Sequence, residues 1–432
     1  MTMDRRTVLK HLGTAGVVGA LAGCAGVQEQ GEGTEASQSG DGSGDSTASG
    51  DADSTTESSG PAGTAKAWYS LPDTEIPLRK EALGMYNEAS KHTIEGADIS
   101  DLRKKTTSAI PANQGPKTFE WAHDFVGDYY QRGFIVDKSD SISVEMDQFT
   151  DAAQGAVQFD GATVGLPHSA ETVALVYNTE MVDSAPSTVS EMKTVMEEYH
   201  DPQNGTYGLG YPFDPYFTSA WAQAFGGYIF DPEEDPQLGV NTDATAKGVK
   251  FALDNFAPYM PNDPTYGPQA AAFAEGNAPF AINGPWYLST LNEKGVDYGV
   301  AKLPTPEGGE PNPFTGITMW YFSKAMSEDG PGTQAAMDFI EWYATNEDIA
   351  LRNAKEQGAI PVLDSIATSD DLPENVQGFS EAVQQGVPMP THPKMNAVWT
   401  PYGDALTKLF NGDMDVKPAL DEAAKTIRSN WE

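Results

Sequence analysis

Four short blocks set flat aromatic rings beside single polar groups. They are Trp121-Ala122-His123-Asp124, Asp214-Pro215-Tyr216-Phe217, Asn283-Gly284-Pro285-Trp286-Tyr287, and Trp399 in a stretch rich in proline and methionine. A ring carries a partly negative face that attracts the slightly positive C–H face of a sugar, and its flat area matches a pyranose. A carboxylate accepts hydrogen bonds from hydroxyls and can hold two vicinal ones at once. Rings with a few aimed carboxylates in a cleft are what carbohydrate recognition needs. Taken singly, the same residues suit ordinary core packing, as most tryptophans of a 432-residue chain do. Catalytic signatures are lacking: no GxxxxGK(S/T), HExxH, GxSxG or CxxC pattern occurs. His92, His123, His168, His200 and His392 lack spacing suited to a metal site, so neither metal nor cofactor is expected.

The elements that must position these residues alternate between strand and helix. Ala65–Tyr69 reads as a short first strand, and Leu78, Ala82, Met85, Tyr86 and Ala89 fall on one helical face. The apolar run Val173–Tyr177 suits a strand buried on both faces. Thr188 and Glu191 form a capping box ahead of a helix carrying Val189, Met192, Val195, Met196 and Tyr199. Val249, Leu253 and Phe256 mark another helix, and Ala336, Phe339, Ile340 and Tyr343 a further one. Pro418 is expected to start a last helix with Leu420 and Ile427. Asn204-Gly205 signals a turn and, with Thr206, a glycosylation sequon. This alternation predicts an α/β fold with ligands at strand ends.

The chain carries 63 acidic against 26 basic side chains, a net charge of −37. Without its first 64 residues it still carries about −31. Scattered acid with sparse lysine fits solubility in extreme salt, where a Debye length of about 3 Å at 1 M screens self-repulsion. It also argues against nucleic acid as a partner. The single cysteine, Cys24, permits no internal disulfide. Asp4-Arg5-Arg6 with the short apolar run behind it resembles a twin-arginine export signal. Leu21-Ala22-Gly23-Cys24 resembles a lipobox, whose cysteine is lipidated and becomes the mature N-terminus. From Ala25 to Thr64 the chain is mostly Gly, Ser, Thr, Asp and Glu, with almost no large apolar residue and no lysine or arginine, a composition too polar to offset chain entropy. It reads as an acidic spacer between a membrane anchor and a globular part. The remaining length exceeds what one core usually spans, so two domains are expected.

Phe119-Glu120-Trp121-Ala122-His123-Asp124, the run Gly165–Asn178, Asp214–Phe217, Gly226-Gly227-Tyr228 and Ala281–Trp286 together resemble the maltodextrin-binding proteins of ABC importers, a class of extracellular solute-binding proteins. The resemblance runs from about Trp68 to near the C-terminus. It implies an α/β, two-lobe periplasmic-binding-protein-like fold, with a hinge and a ligand cleft between the lobes. Residues 1–24 would then be the signal and 25–64 the spacer. The first lobe would comprise 65–169 and 317–363, and the second 173–314 and 370–432. Crossings would lie ahead of Val173 and near Phe314-Thr315-Gly316, where glycine suits a hinge. By position, the resemblance implies sugar contacts for Trp121, Asp124, Glu171, Asp214, Pro215, Tyr216, Trp286 and Trp399, and for Tyr266. It implies capture by a monomer without chemistry, delivery to permease subunits, and attachment to the membrane through Cys24.

Three basic donors that the resemblance implies are missing from their positions. No lysine accompanies Asp73 or Glu75, either of which can supply the carboxylate there. Phe125 follows Asp124, and Gly403 stands four residues past Trp399. Each loss removes direct hydroxyl contacts, so a trehalose- or sucrose-like disaccharide or another oligosaccharide remains an alternative ligand. A rival class also stays open. Asp124, Glu171 and Asp214 could include a glycosidase pair, which needs two carboxyls at about 5–10 Å.

Overall fold

The computed structural model describes residues 61–432. The expected export signal, Cys24 and nearly all of the spacer lie outside the described residues. Residues 61–432 form one compact unit. Its strands in chain order are β1 (Thr64–Tyr69), β2 (Thr93–Asp98), β3 (Thr118–Ala122), β4 (Gln158–Phe159), β5 (Ala162–Thr163), β6 (Gly165–Glu171) and β7 (Ala174–Asn178). They continue with β8 (Leu209–Gly210), β9 (Phe280–Asn283), β10 (Tyr298–Ala301), β11 (Phe314–Phe322), β12 (Ile360–Pro361) and β13 (Val387–Pro388).

Two main sheets form. The first has the order β12-β6-β11-β3-β1-β2, with β13 paired to β11. Within it β1 runs parallel to β2 and β3, while β11 runs antiparallel to β3 and β6. The second has the order β10-β7-β9-β8. Helices cover both, so the mixed α/β reading of the sequence holds. Strand periodicity sorts the side chains. In β11, Trp320 and Phe322 enter one core and Met319 and Tyr321 enter another. At the second sheet Ala174 and Val176 face one core while Val173 and Leu175 face the other, so this run is buried on both faces as its composition predicts.

The helices follow their local signals. Thr188 and Glu191 close a full capping box on helix Val189–Tyr199. Ala336, Phe339, Ile340 and Tyr343 are all buried along helix Pro331–Thr345. Two details differ from the sequence reading. Helix Ile76–Ala89 leaves Met85 43% exposed and Ala89 exposed as well, and it buries Arg79 beside Leu78, Ala82, Leu83 and Tyr86. The last helix spans Val416–Asn430, so Pro418 stands inside its first turn, where its missing N–H costs nothing.

Three chain segments cross between the sheets at one place. Glu171-Thr172-Val173 carries the chain from β6 to β7. β11 starts at Phe314, in the core of the second sheet, and continues into the first. β13 then joins β11 at Phe314 and Thr315. The Thr172 hydroxyl donates to the Phe314 carbonyl at 3.0 Å, and the Met389 N–H donates to the Thr315 carbonyl at 2.9 Å. Gly316 lies in this crossing, paired with Glu171. Space, not backbone freedom, requires glycine there. A Cβ would sit 2.6 Å from the Glu171 side chain and 2.8 Å from the Met389 methyl. Gly316→Ala is expected to displace Glu171, destabilise the protein by about 1–3 kcal/mol and weaken ligand binding. Denaturant titration and a ligand titration on the same sample check both effects.

Candidate functional site

Beside the crossing lies a cavity of about 520 Å³, inside the range of roughly 300–1,000 Å³ common for small-molecule sites. Seven of the residues singled out from sequence line it: Glu75, Trp121, Asp124, Glu171, Tyr216, Trp286 and Trp399. They come from six separate stretches of chain, brought together by the strand ends and the crossing segments. Trp121 and Asp124 sit at the end of β3, Glu171 at the end of β6, and Trp399 opens helix Trp399–Phe410. Trp286 lies in the 3₁₀ turn that follows β9. Its ring lies down over Gly284, where a Cβ would come within 2.2 Å of the indole. That close approach explains the Asn-Gly-Pro-Trp block.

The remaining three stand outside the lining. Asp214 caps helix Pro215–Ala222, accepting from the Tyr216 and Phe217 N–H groups at 2.9 and 3.1 Å. Pro215 is the first residue of that helix and is buried. Tyr266 is 42% exposed, with its ring edge-on to Phe217 at 6.2 Å. Asp214 and Pro215 therefore aim Tyr216, whose ring lies 6.2 Å from that of Trp286.

Trp121, Tyr216, Trp286 and Trp399 are each half-buried, held on one side and open on another. The polar groups between them are under-satisfied. Asp124 accepts from the Trp399 indole N–H at 3.0 Å through Oδ2, while its buried Oδ1 has no partner among the described residues. The buried Tyr216 hydroxyl has none either. Glu171 accepts one long bond, 3.4 Å, from the Thr318 hydroxyl. Such groups are costly unless something hydrogen-bonds to them. Burial raises the Asp124 carboxyl to about 7, against the pull of the Trp399 bond and of Arg103. Burial and the Asp124 charge raise Glu171 to about 7. Burial and the Glu120 charge push Glu75 to about 8. Carboxyls placed in this way suit hydroxyl ligands.

The cavity also holds residues that the sequence did not single out. The Arg79 guanidinium forms a bidentate ion pair with Glu120, one bond being 2.7 Å, and lies over the rings of Tyr69, Trp320 and Tyr343 at 4.9–5.2 Å. The His168 Nε2 lies 2.8 Å from the same Glu120. Burial alone would raise the Glu120 carboxyl, but Arg79 and His168 bring it down to about 2. Arg103 reaches the lining from helix Leu102–Ala109. It stacks 5.5 Å over Phe125 and donates to Asn396 Oδ1 at 2.7 Å. The cavity therefore keeps two guanidiniums, although the positions expected to be basic are not. The visible signal for Arg79 is its place on the apolar face of helix Ile76–Ala89. Arg103 left no such mark.

Asp124 pays a stability penalty for its position. Its folded pKa is above its unfolded value, so folding takes up a proton and stability falls as pH rises from about 4 to about 7. Asp124→Asn keeps an acceptor for Trp399 and removes the charge facing Glu171. Without ligand the variant is expected to melt higher than the parent, by more at pH 8 than at pH 5, and it is expected to bind its ligand more weakly. Thermal melts at both pH values check the sign.

Residues 81–380 match the family model described as "Bacterial extracellular solute-binding protein". The chain is 34% identical over 384 residues to the maltotriose-binding protein of Pyrococcus abyssi (strain GE5 / Orsay), covering 86% of this chain and 83% of that one. It is 28% identical to the galactooligosaccharide-binding protein of Bacillus subtilis (strain 168), covering 76% and 79%. Among solved structures, Thermus thermophilus maltotriose binding protein bound with maltotriose superposes with a TM-score of 0.77 at 25% identity, over 85% of this chain and all of that one. A cyclo/maltodextrin-binding protein superposes with a TM-score of 0.71 at 24% identity and shows the shared fold. With the model spanning well over half of its length, this chain belongs to the bacterial extracellular solute-binding protein family.

Proposed function

We propose that the protein is the sugar receptor of an ABC importer and that it captures maltooligosaccharides in the cavity beside the crossing strands. One observation carries this reading. Four half-buried rings surround buried polar atoms, Asp124 Oδ1 and the Tyr216 hydroxyl, that have no partner among the described residues. Sugar rings supply apolar C–H faces for the former and hydroxyls for the latter. The maltotriose-binding relative at 34% identity supports the same ligand class. Trp121, Tyr216, Trp286 and Trp399 would stack, and Asp124, Glu171 and Glu75 would accept from hydroxyls, with Arg103 donating at the rim. Asp214 and Pro215 would act through Tyr216, and Tyr266 would edge the opening.

The two halves, built on the two sheets, would swing about the three crossing segments and close over the ligand. Residues 65–169 with 317–363 would form one half, and 173–314 with 370–432 the other. The loaded protein, a monomer held at the outer face of the membrane by lipid on Cys24 after twin-arginine export, would hand its sugar to permease subunits unaltered. Its acidic surface would keep it soluble in concentrated salt. The galactooligosaccharide-binding relative gives a specific reason to keep a second sugar class in view.

Thermal shifts with maltose, maltotriose, maltotetraose, trehalose, sucrose and a galactooligosaccharide, in molar and in low salt, test the reading. Stabilisation by α-glucans above the rest, growing with their concentration as linkage requires, is expected. Stabilisation by galactooligosaccharide alone would move the ligand class. Release of glucose from any of them would make the protein a hydrolase.

A further inference from the structure

His123 follows Trp121 and Ala122 at the end of β3 and precedes Asp124, yet it does not line the sugar cavity. It is buried, 2% exposed, and its ring edges the groove on the far side of the crossing. The Ile317 N–H donates to its Nδ1 at 3.0 Å, and its Nε2 lies 2.8 Å from the Met389 carbonyl. Because Nδ1 accepts, Nε2 must carry the proton and donate. Burial holds the ring well below the usual histidine range, at about 4, so it stays neutral and in this one tautomer around neutrality.

The two partners are not neighbours in sequence. Ile317 belongs to β11, one residue past Gly316 and three past Phe314. Met389 follows β13 and donates its own N–H to Thr315. The third crossing segment is tied to the same strand, since Thr172 donates to Phe314 and Gly316 pairs with Glu171. One neutral imidazole thus bridges two crossing segments and, through β11, fixes the third. The residue after it is Asp124, and the residue paired to Gly316 is Glu171.

We propose that His123 is the pin of the hinge, a positioning residue that sets how readily the two halves close and where Asp124 and Glu171 stand, without touching the sugar. The inference rests on the receptor reading above. A ligand that binds only the closed form has its apparent affinity reduced by the fraction of molecules able to close. Loosening the pin populates other interlobe arrangements and lowers that fraction, while every ring and carboxyl that touches sugar is intact.

The experiment uses the full chain with Cys24→Ser and spin labels on Glu95→Cys and Glu198→Cys, two exposed positions on opposite halves. The interlabel distance distribution is measured with and without maltotriose, and the affinity is titrated in parallel. In the parent, a single narrow distribution is expected with sugar. His123→Ala is expected to broaden the distribution of the free protein and to weaken maltotriose binding by about tenfold or more, mostly as faster release. His123→Asn, which keeps an acceptor for the Ile317 N–H, is expected to fall between the two. Equal distributions in all three proteins, with only a lowered melting temperature for the alanine variant, would make His123 a packing residue and overturn the proposal. A parent that binds no glucan would instead sink the receptor reading, and the free-state distributions would still judge the pin.

Discussion

Trp286→Ala is expected to weaken maltotriose binding by about 2–4 kcal/mol, roughly 30- to 800-fold in Kd. The indole is built to present a face. Pro285 starts the 3₁₀ turn, Gly284 lets the ring lie flat, and Tyr216 and Phe217 hold it at 6.2 and 6.1 Å. Truncation removes both stacking area and the wall against which Tyr216 rests. The same ring packs against the edges of two cores, so part of the loss is structural. Trp286→Phe separates the two contributions by restoring most of the packing and some of the stacking. Calorimetric titration of the three proteins reads the effect. A change of less than about threefold for alanine would place the sugar elsewhere.

Glu120→Ala is expected to destabilise the protein by about 3–5 kcal/mol, the typical result of leaving one member of a buried ion pair uncompensated. Arg79 is 3% exposed and sits among the rings of Tyr69, Trp320 and Tyr343, so its charge depends on the Glu120 carboxylate for compensation. Those rings face a cation favourably but cannot accept its full hydrogen-bond demand. Because the pair is buried, salt screens it little. The loss, read by denaturant unfolding, is expected to be nearly the same in 0.5 M and 3 M salt. A loss that vanishes in 3 M salt would show a solvated pair. The double variant Arg79→Met with Glu120→Leu is expected to recover most of the stability, since matched apolar replacement of a buried pair is often neutral or better. The pair's own contribution is present near neutrality and fades only as pH falls toward about 2, where Glu120 protonates.

These two residues also show what the sequence makes legible. The Trp286 block could be read directly, because Asn-Gly-Pro-Trp puts the conformational cue and the cavity-lining ring in one string. Thr188 with Glu191 and the apolar face of helix Pro331–Thr345 were equally local, and the structure repeats them. Glu120 was hidden in plain view. It stands in a central strand between Phe119 and Trp121, where a buried charge demands a partner, but the partner comes from 41 residues earlier. Arg103 was invisible for the same reason: it meets Phe125 and Asn396 only after folding. Asp214 reads two ways. Its place beside a proline and an aromatic fits a sugar contact and a helix cap equally well, and here it caps. Local pattern fixes elements and rings, whereas charge partners depend on long-range closure.

The most direct measurement is a titration of the protein in molar salt with maltotriose, following tryptophan fluorescence and heat, with the sugar recovered and analysed afterwards. One saturable site, with maltotriose returned intact, is the predicted result. An unchanged signal up to millimolar sugar, or glucose among the products, would contradict it.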